Sequence, residues 1–215
     1  MIRLALIDTG SAARHEPRVV AARTFRLAGD AVVPEGGAVA ALAHGPALAD
    51  VLCEVPGVEL IVARVFDDTH TTSAAQLAAA LDWAAEQGAH VANVSAGLRQ
   101  DRAVLRDAVA RALARGVFVV AAAPARGAAS FPAAYAGVLR ATGDARCAPG
   151  EISWLGTAQA DFGAHATAGE VRGASAGCAR VSAALAALLA RGVEPARAVE
   201  ALRQAAAYEG PERRA

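Results

Sequence analysis

The sequence predicts an α/β fold, a doubly wound parallel sheet with helices on both faces. Three observations carry this. Short apolar runs rich in Val, Ile and Leu recur at residues 2–7, 60–66, 90–95, 117–122 and 138–142. These runs are continuous rather than alternating, which is how parallel strands covered on both faces read. Helical patterns lie between them, and a repeated strand–helix order implies right-handed crossovers.

Each helix has readable ends. Ser73-Ala-Ala-Gln76 is a capping box ahead of LAAALDWAAEQ, and Gly88 stops that helix. Asp101 is expected to cap DRAVLRDAVARALAR, which Gly116 ends. AGEVRGA reads as a Gly-rich loop, and SAGCARVSAALAALLAR as a long helix ending at Gly192. Pro195 suits the first position of a last helix, ARAVEALRQAAA. The tail EGPERRA is polar and expected to fray.

The 215 residues suit a single domain spanning 1–215 with no dividing linker. Hydrophobic residues are 55% and aromatics only 4%, so the core must be built from small side chains packed closely. Lys+Arg and Asp+Glu are both 21, which gives no basic patch for nucleic acid or an anionic membrane. The first apolar run stops at Asp8, too short for a signal peptide, and no stretch nears ~18 apolar residues. Cys53, Cys147 and Cys178 are odd in number, with no CxxC. A reduced, cytoplasmic protein without metal or cofactor is expected.

The chemistry turns on two stretches. Residues 7–11 read Ile-Asp-Thr-Gly-Ser, and an aspartic protease uses such a triplet. That chemistry needs two carboxylates sharing a proton, and no second Asp-Thr/Ser-Gly occurs. Its fold is also nearly all β, whereas this chain is rich in helices. Residues 173–177 read Gly-Ala-Ser-Ala-Gly, the pattern of an α/β-hydrolase elbow. The triad histidine must then follow the serine, but His15, His44, His70, His90 and His165 all precede Ser175. A Rossmann-like enzyme would need a Gly-rich phosphate loop after the first strand, and DTGSAARHE is not one.

A third reading uses both stretches. Asp8 ends the first strand, His44-Gly45 opens an apolar helix, and Ser175 opens another. Asp, His, Ser is one of the known chain orders of the catalytic triad. A strand's carboxyl end is where sites collect in doubly wound folds. A helix N-terminus offers N–H groups to a developing oxyanion.

On these residues the sequence resembles the subtilisin-like serine proteases, or subtilases. IDTG matches the family's Asp motif, HGPALADVL its His motif with Pro46 in place of the usual Thr, and GASAGCARVSAALAALL its Ser motif. In the last, Ala174, Ala176 and Ala179 replace Thr, Met and Pro. AHVANVSAG and VFVVAAAPARGAASFPAAYAGVLRATG resemble two further family segments. The resemblance implies a minimal subtilisin-like fold and peptide-bond hydrolysis by Asp8, His44 and Ser175. It places Ser95, Ala96 and Gly97 along the pocket for P1, the residue before the cleaved bond, with Arg126 near the rim. The family's oxyanion-hole Asn falls on Ala125, so a side-chain donor is missing and a slow, selective protease is expected. No propeptide is expected, since a core strand starts at residue 2, and no segment resembles the family's calcium loops.

The partner implied is a peptide or protein substrate, handled together with other maturation proteins. A leader is the expected target, as in the small subtilases that mature the cross-linked subunit of quinohemoprotein amine dehydrogenase. The competing expectation is a silent subtilase fold that escorts a peptide. Asn93 and His165 are expected to be structural, the Asp67, Asp68 and His70 loop to be solvated, and Cys178 to pack inward.

Overall fold

The computed structural model describes residues 1–211. Its first strand, β1 (Ile2–Asp8), is followed by a 3₁₀ turn (Ala13–Arg18), β2 (Val19–Ala28), β3 (Ala31–Gly36) and α1 (His44–Cys53). Next come β4 (Val58–Arg64), α2 (Ala74–Glu86), β5 (Val91–Val94), α3 (Ala103–Ala114), β6 (Phe118–Ala122) and β7 (Leu139–Gly143). The chain continues through β8 (Ile152–Trp154), β9 (Phe162–Ala164), β10 (Thr167–Ala168) and β11 (Val171–Arg172). It closes with α4 (Ala174–Ala190), α5 (Pro195–Gln204) and β12 (Tyr208–Glu209).

One sheet runs in the order β12-β8-β9-β7-β6-β5-β1-β4-β2-β3. From β9 through β7, β6, β5, β1, β4 and β2 every pairing is parallel. The expected parallel core is therefore present, with antiparallel strands added at its margins. Side chains alternate between faces along each strand. Leu4 and Leu6 of β1 join Leu48, Leu52 and Leu185 under α1 and α4, while Ala5 and Ile7 join Leu77, Leu81 and Leu105 under α2 and α3. This two-sided burial explains the continuous apolar runs.

The chain leaves β1 toward β4 with α1 on one face. It then crosses back over β1 to β5 with α2 on the other. The carboxyl end of β1 is thus the switch point where such sheets open a crevice. Asp8 sits there.

The capping box of α2 forms as expected. Ser73 Oγ accepts from Gln76 N–H at 3.2 Å, and Gln76 Oε1 accepts from Ser73 N–H at 3.0 Å. Asp101 does not cap α3. The cap position is Arg102, and Asp101 instead accepts from the Tyr135 hydroxyl at 2.9 Å and pairs with Arg106. AGEVRGA is not a plain loop, since it carries the β10–β11 hairpin. The β2–β3 hairpin was not expected; it turns at Gly29 and Asp30, with Gly29 at φ 60° as the first residue of a type II′ turn requires. Of the tail EGPERRA, Glu209 does not fray: with Tyr208 before it, it pairs with β8, and residues 212–215 lie outside the described residues. Among the described residues no helix is long and apolar enough to cross a membrane.

Candidate active site

The turn after β1 and the start of α1 are built into each other. Gly45 N–H donates to Thr9 Oγ1 at 2.8 Å. A Cβ on Gly45 would stand 2.2 Å from the Gly10 carbonyl oxygen, so only glycine permits the contact. That approach brings His44, the first residue of α1, onto Asp8. The Asp8 carboxylate is fully buried, and its Oδ1 lies 2.7 Å from His44 Nδ1. The same oxygen accepts from Thr9 N–H at 2.7 Å. Holding the proton on Nδ1 leaves Nε2 unprotonated and basic. Burial pulls the His44 pKa down, but the hydrogen bond and negative charge of Asp8 outweigh it and raise the pKa above its ordinary value.

Ser175 is the second residue of α4, after Gly173 at φ 76°. The first-turn N–H groups of a helix, Ser175's among them, have no intrahelical acceptor. The start of α4 presses onto the strand ends. A Cβ on Gly177 would lie 2.0 Å from the Thr142 carbonyl oxygen at the end of β7. One turn beyond Ser175, Cys178 Sγ contacts the carbonyl oxygens of Val120 at 3.4 Å and Val94 at 3.9 Å. Thus α4 begins above β5, β6 and β7, beside the strand that carries Asp8. Among the described residues no hydrogen bond joins Ser175 to His44; such bonds are often long before substrate binds. Burial pushes the Cys178 thiol up to about 12, so it is a packing residue.

Asn93 is fully buried and holds this assembly together. Its amide donates to Ser95 Oγ at 3.1 Å and accepts from Ser182 Oγ of α4 at 3.1 Å. Through Asn93, Ser95 at the end of β5 is tied to α4, while Ala96 packs on the opposite face with the α2 and α3 cluster. Arg126 and Ala125 line a cavity of about 420 Å³ beside Thr142 and Gly143, the strand end that meets the start of α4. Ala125 supplies no side-chain donor. His165 is structural, since its ring nitrogens meet the Cys147 carbonyl at 2.8 Å and Thr167 Oγ1 at 2.7 Å. Among the described residues no group of three or more His, Cys, Asp or Glu is placed to hold a metal ion.

Two features escaped the sequence. A groove of about 800 Å³ runs beside His44, lined also by Arg14, Asp50, His70, Glu170 and Arg172. Ser130 stands close to Gly97, where a Cβ would lie 3.4 Å from Ser130 Cβ. Neither carries a motif, because each arises from segments far apart in the chain.

The fold and this arrangement define an α/β protein with a buried Asp–His pair at its switch point. The Subtilase family profile matches residues 36–143, which includes His44 and the Ser95 stretch but neither Asp8 nor Ser175. The chain belongs to the subtilase family. It is 33% identical over 148 residues to alkaline elastase YaB of Bacillus sp. (strain YaB), covering 64% of this chain and 38% of that protein. It is 32% identical over 148 residues to Subtilisin Savinase of Lederbergia lenta, covering 64% of this chain and 54% of that one. The chain thus matches about half or less of these relatives' length. Among solved structures, sphericase superposes with TM-score 0.71 at 18% identity, covering 94% of this chain and 82% of that one. The epidermin leader peptide processing serine protease from Staphylococcus aureus gives TM-score 0.71 at 19% identity, covering 94% and 68%. These likenesses show the subtilisin-like fold.

Proposed function

We propose that this chain is a serine endopeptidase acting through Asp8, His44 and Ser175. The observation that carries the reading is the fully buried Asp8 carboxylate, 2.7 Å from Nδ1 of a histidine at the sheet's switch point. His44 Nε2 takes the proton from the Ser175 hydroxyl as it attacks the peptide carbonyl. Asp8 keeps the imidazole in the productive tautomer and stabilises its charged form. The Ser175 N–H faces the oxyanion, and His44 returns the proton to the leaving amine.

Ala125 leaves the oxyanion one donor short. In a subtilisin, removing such a donor costs about 10²–10³ in rate. A slow enzyme with a narrow target follows, and leader removal from a modified peptide fits it. The fold likeness to a leader-processing protease supports this target. The small subtilases that mature a quinohemoprotein amine dehydrogenase subunit are the finer expectation, from the motif resemblance. The test is to incubate leader-bearing precursors with wild type and Ser175→Ala and read the products by mass spectrometry. A single cleavage by wild type alone supports the proposal. Equal function of Ser175→Ala would favour the silent escort, for which the missing donor at Ala125 speaks.

A further inference from the structure

We infer that Asp50 is a positioning residue: through His15 it ties the turn that leaves Asp8 to the helix that begins at His44. The inference rests on the hydrolase reading above and adds a residue to that site. His15 lies in the 3₁₀ turn after β1, is only 3% exposed, and has both ring nitrogens engaged. Ala12 N–H donates to its Nδ1 at 3.1 Å. A backbone N–H can only donate, so the proton of the neutral ring sits on Nε2. That nitrogen donates to Asp50 Oδ1 at 2.9 Å. Arg14 reaches the same carboxylate from the solvent side, Nε to Oδ1 at 2.9 Å and Nη2 to Oδ2 at 2.7 Å. The Arg14 hydrogen bond, opposed by burial and joined by the bond from His15, holds the Asp50 carboxyl below the usual carboxylate range.

Asp50 stands on α1, roughly 9 Å along the axis from His44. Turn and helix are thus joined at two points. At the start of α1, Gly45 N–H donates to Thr9 Oγ1 at 2.8 Å. Further along, Asp50 accepts from His15. The turn is also fastened to the segment before α1, with Ser11 N–H on Ala38 O and Ala40 N–H on Ser11 O, both at 2.9 Å. Two directional attachments set the angle of the helix more closely than one, and with it the 2.7 Å between His44 Nδ1 and Asp8 Oδ1. The two bonds at Asp50 differ in weight. The Arg14 and Asp50 side chains are both more than half exposed, and such a pair contributes little. The His15 N–H is buried, and Asp50 is its acceptor, so removing the carboxylate leaves it unpaired. A shift of the turn relieves that, and the other end of the turn is Asp8.

The test is the rate of fluorophosphonate labelling on the high-pH plateau, with the NMR resonance of the His44 Nδ1 proton as a second readout. That resonance reports the bond to Asp8 and needs no reaction. Asp50→Ala removes the acceptor. Asp50→Asn keeps an acceptor for His15 but removes the charge. His15→Asn keeps an acceptor for the Ala12 N–H but is too short to reach Asp50, and it carries the test if Asp50→Ala does not fold. Melting curves check each variant. The expected result is that Asp50→Ala and His15→Asn each label about ten- to a hundredfold more slowly, the cost of a small misplacement. Their double variant is no slower than either, and the His44 resonance moves or broadens in both. Asp50→Asn and Arg14→Ala label within about threefold of wild type. Rate and resonance unchanged in Asp50→Ala and His15→Asn overturn the inference and leave the hydrolase reading standing. So does a loss in Asp50→Asn as large as in Asp50→Ala, which makes charge the cause. No labelling of wild type overturns the hydrolase reading, and the resonance alone then decides whether Asp50 positions the pair.

Discussion

Replacing Asp8 by Asn tests the electrostatic core of the site. In the proposed mechanism catalysis creates an imidazolium on His44, and Asp8, fully buried, lies 2.7 Å from its Nδ1. For unit charges about 4 Å apart in an effective dielectric of about 20, the attraction is about 4 kcal/mol. At 1.36 kcal/mol per decade this is about 10³ in rate. The amide also disturbs the hydrogen bonding of Oδ1, which now accepts from both Thr9 and His44. Loss of a fixed tautomer adds about another decade, in line with the ~10⁴ lost when a triad Asp becomes Asn. The assay is the second-order rate of fluorophosphonate labelling against pH, which needs no known substrate. In wild type the rate rises with pH as His44 deprotonates, with its midpoint above the ordinary imidazole value because Asp8 raises it. In Asp8→Asn both raising influences are gone while burial remains, so the midpoint moves to lower pH and the plateau falls. A variant within about tenfold of wild type, or a midpoint moving to higher pH, would refute the reasoning.

The remaining predictions concern neighbouring groups. Gly45→Ala forces a Cβ to 2.2 Å from the Gly10 carbonyl oxygen, and urea unfolding should show a loss of about 1–3 kcal/mol or more. Ala125→Asn supplies the absent side-chain donor, and kcat should rise by up to about 10²–10³; an unchanged kcat would show that position 125 does not face the oxyanion. Cys178, fully buried with its thiol pushed up to about 12, should resist iodoacetamide at pH 8 until the protein unfolds, as read by peptide mapping.

The parallel core was legible because burial on both faces leaves an unbroken apolar run. Strand limits still shifted, as β4 covers Val58–Arg64 rather than 60–66, since Val65 and Phe66 remain apolar after pairing ends. The β2–β3 hairpin was not legible. Val20, Leu27 and Val33 are 41–48% exposed, so no clean alternation marks a buried face. Asp101 had the chemistry of a cap, but Arg106 and Tyr135 compete for its carboxylate. Asp8 and His44 were recognisable by motif, and Gly45 showed why they meet. The close approach of Gly97 to Ser130, next to a bridge between residues 98 and 131, joins segments far apart in the chain, which local pattern does not encode.

The central claim is that Ser175 is an activated nucleophile served by His44 and Asp8. Its most direct test is fluorophosphonate labelling of the purified protein, read by intact mass and by mapping of the modified peptide, beside Ser175→Ala. The account predicts one adduct on wild type, carried by Ser175, and none on the variant. No adduct on wild type, or an adduct that survives in Ser175→Ala, would contradict it.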